Sequence, residues 1–517
     1  MPYYKAEIQN LTNRRALTGL MTIGAIVGAL VVGILADKIG RKPTMVFSCI
    51  IFLVGSLFQT GANNIALMLS GRAVTGFNQS ELAPKHLRGR LIAIYQYAIT
   101  LGIFCGSWIA LGAVNIQSDS SWRLALGIQM IPCLILLFLI CFVPESPRYL
   151  MYRNHDADAL YVLSKIHGDG TPDHPNVYME YVAIQQSIAY EKTFKNRSSY
   201  ARVFSGSPEN NRRRLLLGIL TQGFQQLTGI NPILMFSPQV LHITGLSGLR
   251  SSLISTCISA SINMGATIPA LFFLDRYGRR STMLVGAAGL CACLIVMSVL
   301  SITGRFIYET DYVTEIESAV VTSRDVSSNV GDIKNEAIAF VAMQYTYVAI
   351  FAYTWGPLGW IYPSELYSQG IRAKALSLTS GFGWILTFAV FEFSSAMLGR
   401  IHGKLYVIYT CFCIIIIVVV YFFFPETKGK SLEEIDLLFG SDIGYFDVNP
   451  HPAQTAATTL DHMERVQRKN ANQYPFQLGE TGPHLPSSSD NISLAPCDEY
   501  DNTRHPTFVE VQPGQSL

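Results

Sequence analysis

The chain has 517 residues, of which 50% are hydrophobic and only 14% charged, and its formal net charge is +2 with a mean hydropathy of +0.29. Soluble domains carry about 25% charged residues, so this composition excludes an ordinary soluble protein and indicates an integral membrane protein. The chain has no excess of basic residues of the kind that indicates a nucleic-acid partner, and we expect no such partner.

Ten apolar runs are long enough to cross a bilayer, because a helix needs about 20 residues to span the hydrocarbon core. They lie at roughly 16–36, 44–61, 91–114, 122–143, 214–236, 250–274, 281–303, 337–362, 375–398 and 404–424. The predicted fold class is therefore an all-α integral membrane protein.

An eleventh apolar run, at 65–77, is too short to cross. Its 13 residues would form about 20 Å of helix against a core of about 30 Å. A polar, basic segment then begins at Asn78 and continues through "SELAPKHLRGR". The pattern predicts half of a membrane helix among complete ones.

Lys and Arg gather in alternate loops, as in "DKIGRK" at 37–42 and "DRYGRR" at 275–280. An excess of Lys and Arg in short loops marks the cytoplasmic side. The alternation holds only if the 65–77 run counts as a crossing, and it places Met1 outside the cell. Asn10, in Asn10-Leu11-Thr12, is then a candidate for glycosylation.

Four parts are expected along the chain. They are an N-terminal helical bundle at 1–143, a cytoplasmic helical linker at 144–213, a C-terminal bundle at 214–430 and a mostly disordered cytoplasmic tail at 431–517. Nine of the ten cysteines lie in the apolar runs, Cys141 near the end of one, without disulfide or metal-ligand spacing. We therefore expect no metal and no cofactor.

The two bundles repeat one another. "DKIGRK" (37–42) is echoed by "DRYGRR" (275–280), "SELAPKHLRGR" (80–90) by "SELYSQGIRAK" (364–374), and "PESPR" (144–148) by "PETKG" (425–429). Internal repeats of several spans are a common construction in secondary transporters.

These motifs, with "QQLTGIN" and "GPLGW" in the same order, resemble the sugar porter branch of the major facilitator superfamily over about residues 11–436. Fungal monosaccharide (hexose) transporters are the most similar members. The resemblance implies the major facilitator fold, two pseudo-repeated six-helix bundles joined by a cytoplasmic linker. Against that pattern the chain lacks the first helix and part of the fourth.

Charged residues at the cytoplasmic helix ends are predicted to latch the bundles together when the inner mouth closes. Simple topology, with positive residues kept inside, is the alternative reading. Arg72, within the half-length run, is included because it resembles the family's helix-four arginine. The set is Asp37, Arg41, Arg72, Glu81, Arg88, Glu145, Arg148, Asp275, Arg279, Glu365, Arg372 and Glu426.

Polar side chains within spans are candidate solute ligands, since they are costly in a bilayer unless satisfied. Amides both donate and accept, which suits the vicinal hydroxyls of a neutral sugar. By resemblance the sugar ligands are Gln96, Gln225, Gln226, Asn231 and Asn263, with Trp360 and Trp384 as flat platforms for the ring. Hydrogen bonding between helices is the alternative for the amides, and anchoring at the membrane interface for the tryptophans.

The leading hypothesis is a plasma-membrane hexose carrier that works by alternating access, with or without a co-transported proton. The family's acidic coupling residue belongs to the first helix, so the residues here do not decide coupling. A non-transporting sugar sensor, an inactive truncated variant and a carrier of another polyhydroxylated solute (pentose, disaccharide, polyol or quinate) stay open. An enzyme is not expected, because no nucleophile–base set or phosphate-binding loop occurs.

Overall fold

We describe the chain from a computed structural model. The described residues are 11–77, 90–116, 118, 120–167, 170, 174–193, 203–204, 210–234, 249–303, 335–367, 371–401, 404–430, 435 and 439, all within one compact unit, Met1–Leu460. The regular elements of these residues are helices, and no strand occurs among them. The all-α prediction is confirmed.

Six helices form the N-terminal half. They are α1 Leu11–Ile39, α2 Arg41–Thr60, α3 Ile65–Phe77, α4 Arg90–Ala113, α5 Ser120–Gly127 and α6 Met130–Phe142. Helices α5 and α6 follow each other across a short turn and together provide one apolar span, Ser120–Phe142. Helix α3 has the bounds expected for the half-length run.

Three helices account for most of the described residues between the halves. They are α7 Pro147–Tyr152, α8 Asp156–His167 and α9 Pro175–Thr193. They enclose a small apolar core of their own, which includes Met151, Leu163 and Ile184. Asp156 and Asp158 occupy the first turn of α8, where carboxylates favour the positive end of the helix dipole.

Seven helices account for most of the described residues of the C-terminal half. They are α10 Asn211–Leu227, α11 Leu249–Tyr277, α12 Arg279–Thr303, α13 Asn335–Tyr353, α14 Trp355–Leu366, α15 Arg372–Ile401 and α16 Leu405–Phe423. In the described part of the chain, eight helical stretches are long and apolar enough to cross a membrane. Shorter apolar helices lie at Gly19–Val32 and Ile65–Phe77. The membrane class is confirmed.

Glycines seat the half-length helix α3 against α1. A Cβ at Gly24 would collide with the carbonyl oxygen of Ala73, and a Cβ at Gly28 with that of Phe77. Such close backbone approach is how small residues four apart join helices in a membrane. Since Gly28 lies 11 residues before the end of α1 at Ile39, α3 stops about 17 Å short of the C-terminal end of α1.

Helix α2 packs on the opposite side of α3. The Gln59 amide donates to the Gly71 carbonyl (3.2 Å) and to the Thr75 hydroxyl (2.8 Å). Gly55 of α2 lies where any side chain would press on Thr75. The short helix is therefore held between two neighbours although it lacks the length of a span.

The two halves meet along α1 with α15 and α4 with α11. The Ser377 hydroxyl donates to the Ala29 carbonyl (2.6 Å) across the first contact, and the Trp108 indole donates to the Ser261 hydroxyl (3.4 Å) across the second. The repeat relates these contacts, because α4 follows "SELAPKHLRGR" as α15 follows "SELYSQGIRAK".

One face of α4 lacks the packing of its repeat counterpart. Leu386 of α15 contacts α10 at Gly223, where an added Cβ would lie 3.0 Å from its Cδ1. Gly102 holds the equivalent position, 14 residues after the motif arginine Arg88 as Leu386 is after Arg372. A Cβ at Gly102 would meet nothing within 4 Å. Among the described residues, Gly102 therefore has no neighbour where Leu386 packs against α10.

Candidate functional site

A broken helix in the C-terminal half lies at the centre of the candidate site. Helix α13 ends at Tyr353, α14 begins at Trp355, and Thr354 between them has φ −114° and ψ −83°. Pro363 lies inside α14. Because proline has no N–H, the carbonyl four residues earlier, that of Gly359, has no intrahelical donor. Broken helices with unpaired backbone groups mark binding sites in transporters.

Two glutamines of α10 donate to this segment. The Gln222 amide donates to the Gly359 carbonyl (2.8 Å), and the Gln225 amide donates to the carbonyls of Trp355 (3.0 Å) and Gly356 (3.1 Å). The two glutamines are three residues apart, so they share one face of α10. The donors of Gln225, predicted to bind sugar, are thus used by the protein, and its side-chain oxygen is the acceptor it can offer a solute.

Gln226 and Asn231 form a second amide pair. The Asn231 Nδ2 donates to the Gln226 Oε1 at 2.6 Å, and both side chains are half-buried. This pairing is possible because helix α10 is interrupted at Thr228 and Gly229, with Gly229 at φ +86°, a conformation open to glycine at little cost. The pair presents the Gln226 NH₂ as a donor and the Asn231 Oδ1 as an acceptor, which suits adjacent hydroxyls.

The N-terminal half contributes Gln96 of α4. Its side chain is 8% exposed, and its Oε1 is buried without a hydrogen-bond partner among the described residues. A Cβ at Gly356 would lie 3.3 Å from the Gln96 Nε2. Gly356 therefore lies between Gln96 of one half and Gln225 of the other.

The tryptophans take different positions. Trp360 follows Gly359 on α14 and packs edge-to-face on Tyr95 of α4, with ring centroids 6.4 Å apart. Trp384 lies half-buried on α15. Trp355, which the sequence reading did not single out, is fully buried and donates its indole N–H to the Met283 carbonyl (3.2 Å).

The contacts described above bring Gln96, Gln225 and Trp360 together around the broken helix. Asn263 takes no part in these contacts. It lies on α11, its side chain is 8% exposed, and its carbonyl accepts the Thr267 hydroxyl (2.7 Å). The arrangement provides amide donors and acceptors, an aromatic face and elements of both halves.

Two glutamates of the repeated motifs cap the starts of α2 and α12. Glu145 accepts the backbone N–H groups of Arg41 (3.3 Å) and Lys42 (3.4 Å) at the start of α2. Glu426 accepts those of Arg279 (2.8 Å) and Arg280 (3.1 Å) at the start of α12. Carboxylates satisfy the free N–H groups of a helix start and favour its dipole.

A glycine with positive φ makes room for each cap. Gly40 has φ +104° and Gly278 has φ +92°. A Cβ at Gly278 would lie 2.7 Å from the Glu426 Oε2, and one at Gly40 would lie 3.2 Å from the Glu145 Oε2. The glycine of each repeated motif is therefore needed both for its backbone conformation and for the approach of the carboxylate.

A buried ion pair joins α12 to α14. The Arg279 Nη2 lies 3.0 Å from the Glu365 Oε1, and both side chains are 9% exposed. Thr427 donates its hydroxyl to the second oxygen of Glu365 (2.6 Å). Arg372 donates to the Tyr367 carbonyl (2.9 Å). Each of these contacts lies within the C-terminal half, and the latch between halves stays a prediction.

Arg72 lies far from Arg41 in the structure. Its neighbour Gly71 accepts from Gln59, which lies 18 residues after Arg41 on α2, or about 27 Å from the start of α2. The Arg72 Nη1 lies 3.5 Å from the Met21 sulfur. Arg72 is thus at the level of the end of α2 that is remote from Arg41, and its part in the latch stays a prediction.

Several predicted residues cannot be placed. Asn10, Glu81 and Arg88 lie outside the described residues, as do the side chains of Asp37 and Asp275 and nearly all of the tail. Arg148 lies on α7 and its side chain is buried.

The sequence reading missed Gln222 and the anchoring of the segment after α16. Gln222 is polar within an apolar run and three residues before Gln225, which is a usable signal. Phe439 is 2% exposed, with the Arg214 guanidinium 4.8 Å from its ring centroid and its carbonyl accepting from Asn210. No local pattern marks that contact.

Comparison with known proteins points to one family. A model of the family described as "Sugar (and other) transporter" matches residues 4–439. The "MFS glucose transporter mfs1" of Aspergillus flavus is 33% identical over 451 residues, which cover 83% of this chain and 82% of the relative. The "High-affinity glucose transporter 1" of Candida albicans is 30% identical over 431 residues, covering 81% and 76%.

A solved structure has the same fold. It is the proton:xylose symporter XylE bound to 6-bromo-6-deoxy-D-glucose, which is 25% identical with a TM-score of 0.64. The match covers 83% of this chain and 91% of XylE.

Proposed function

Because this chain belongs to the sugar (and other) transporter family, we propose that it carries a monosaccharide, a hexose such as glucose, across a membrane by alternating access. The protein is of the major facilitator type, with two repeated halves. In this proposal it is a carrier and not an enzyme, its partners are a small neutral sugar and the bilayer, and it works without a cofactor.

The observation that carries the proposal is the polar cluster at the broken helix between the halves. Gln96, Gln225 and the Gln226–Asn231 pair offer donors and acceptors, and Trp360 offers an aromatic face. Neutral hydroxyls need both kinds of hydrogen-bonding group, whereas a charged solute would need an opposite charge. We assign Asn263 and Trp384 to the same site by resemblance.

Alternating access requires the halves to move against each other around this site. The contacts of α1 with α15 and of α4 with α11 are the surfaces along which such movement would occur, and the bonds of Ser377 to Ala29 and of Trp108 to Ser261 cross them. At the cytoplasmic end, the caps and ion pair stiffen each half as a unit. In this proposal the remaining charges, Asp37, Glu81, Arg88 and Asp275 among them, form the latch between halves.

The finer assignments belong to the same proposal. The boundaries are 1–143, 144–213, 214–430 and 431–517, with the linker and tail cytoplasmic, Asn10 outside and the plasma membrane as location. The separate apolar core of α7–α9 supports a distinct linker. Proton symport is what XylE does by its description, and we extend it to this chain as a point to be tested.

A second candidate, a sugar-binding protein that does not transport, is favoured by one observation. Helix α3 ends beside Gly28, about 17 Å before the C-terminal end of α1, and among the described residues Gly102 of α4 has no neighbour. The C-terminal half, with its amides and tryptophans, is complete enough to bind a sugar on its own. Binding without closure would be the behaviour of a sensor or an inactive variant.

The test is uptake of labelled glucose by yeast cells that lack their own hexose carriers, with surface delivery of the chain measured in parallel. We expect saturable uptake that unlabelled glucose, fructose or xylose competes for. Alkalinisation of the medium during uptake would show that a proton is carried with the sugar. Uptake without alkalinisation would show facilitated diffusion. No uptake despite surface delivery would overturn the carrier proposal in favour of the second candidate, provided that glucose binds to the purified protein.

A further inference from the structure

Gln222 lies at the point where proline leaves a buried carbonyl without its donor. The Gly359 carbonyl would accept the N–H of residue 363 in a regular helix, but that residue is proline. The Gln222 amide takes the place of this donor at 2.8 Å. Gln222 is 2% exposed, so neither group has access to bulk water and the bond satisfies both.

The surroundings hold Gln222 in this position. Its Oε1 faces α15, where a Cβ at Gly383 would lie 3.0 Å away. Its neighbour on the same face, Gln225, donates to the carbonyls at the start of α14. The two amides thus tie α10 to three carbonyls in the first part of α14, those of Trp355, Gly356 and Gly359, the last of which directly precedes Trp360.

We propose that Gln222 is a positioning residue that replaces the missing N–H of Pro363 and thereby holds the Trp360 segment in register against the sugar site. This inference rests on the proposed function and assigns a role to a residue outside the predicted ligand set. Gln222 acts on the sugar through α14, since its donor is engaged by the backbone.

The structure suggests a double-mutant cycle as the test. Gln222→Met keeps the side-chain length and removes the donor, so it leaves the Gly359 carbonyl unsatisfied. Pro363→Ala supplies the backbone N–H that the same carbonyl lacks. If Gln222 acts as that donor, Gln222→Met has a large effect when residue 363 is proline and a small effect when it is alanine.

Uptake kinetics give the functional readout. We expect Gln222→Met to raise the KM for glucose about two- to tenfold, with a smaller change in the maximal rate and normal surface delivery. In the Pro363→Ala background the same change is expected to alter the KM less than about twofold. A KM that rises equally in both backgrounds would overturn the proposal.

Gln344→Met is the matched control. Gln344 is 2% exposed and donates to a backbone carbonyl, that of Ile233, at 3.1 Å. Gln344→Met therefore removes the same kind of hydrogen bond, from a glutamine amide to a backbone carbonyl, but at a carbonyl that Pro363 does not affect. Pro363→Ala should not rescue it, and equal rescue of both variants would refute the pairing of Gln222 with Pro363.

Thermal unfolding of the purified chain in detergent gives a readout that needs no transport. Gln222→Met is expected to lower the Tm by about 1–4 °C, with most of that loss absent in the Pro363→Ala background. Failure of glucose uptake by the unaltered chain would count against the proposed function alone. Equal Tm losses in the two backgrounds would count against the role of Gln222 alone.

Discussion

Gly278→Ala should destabilise the protein more than an ordinary glycine substitution, for two separable reasons. Gly278 has φ +92°, which an L-residue adopts at a cost of about 1–2 kcal/mol. Its new Cβ would also lie 2.7 Å from the Glu426 Oε2, too close to remain there. The carboxylate would have to move from the backbone N–H groups of Arg279 and Arg280.

The loss of this cap adds to the backbone cost. Removing a side chain that caps a helix N-terminus typically costs about 1 kcal/mol, and up to about 2. Together the two effects amount to about 2–4 kcal/mol. Backbone strain alone would account for only about 1–2 kcal/mol of this total.

Gly429→Ala separates the two effects. Gly429 also has positive φ, +69°, but a Cβ there would meet nothing within 4 Å. In thermal unfolding of the purified chain, we expect a loss of roughly 2–4 °C for Gly429→Ala and about twice that for Gly278→Ala. With Glu426→Ala already present, Gly278→Ala should cost no more than Gly429→Ala. Equal losses for both glycines in the unaltered chain would refute the role of the cap.

Two further predictions test the half-length helix and the sugar site. Gly28→Ala would drive a methyl group into the Phe77 carbonyl and separate α1 from α3. We expect it to lower the Tm by about 2 °C or more. Gly102→Ala is the control, because an added Cβ there meets nothing within 4 Å, and it should leave the Tm within about 1 °C. Gln226→Met should raise the KM for glucose about tenfold or more at normal surface delivery, because a hydroxyl of the bound sugar then loses the Gln226 amide as its hydrogen-bond donor. An unchanged KM would remove Gln226 from the site.

Much of the fold follows from local patterns. The half-length run at 65–77 is helix α3 with the same bounds, since apolar length and the polar stop at Asn78 are both visible in the sequence. The closely spaced glycines and prolines of "GPLGWIYP" (356–363) are a local signal of the broken helix after Tyr353. Gly229, in the middle of an apolar run, is a weaker signal of the interruption of α10.

The site was predicted less completely. Composition alone marks Gln225 and Gln226 as polar residues within a span, but it treats them as equivalent. In the structure Gln225 donates to the backbone of α14 while Gln226 pairs with Asn231. The difference arises because successive residues of a helix point about 100° apart, so that only one of them faces α14.

Arg72 shows the limit of reading a motif without its neighbours. The register of α3 against α2 places Arg72 beside Met21, far from Arg41. Helix register depends on which side chains interlock, and here Gly71, Gln59 and Thr75 determine it.

The sequence by itself determined the membrane class, the positions of eight of the ten predicted spans, the incomplete helix and the internal repeat, because hydropathy, helix length and charge placement are properties of short segments. Only the tertiary structure decided which polar groups satisfy one another. Gln222 and Gln225 reach carbonyls 137 and 130 residues away in the chain, and Glu426 caps a helix that begins 147 residues before it. Those partners are selected by the packing of α10, α12 and α14, which no local pattern contains.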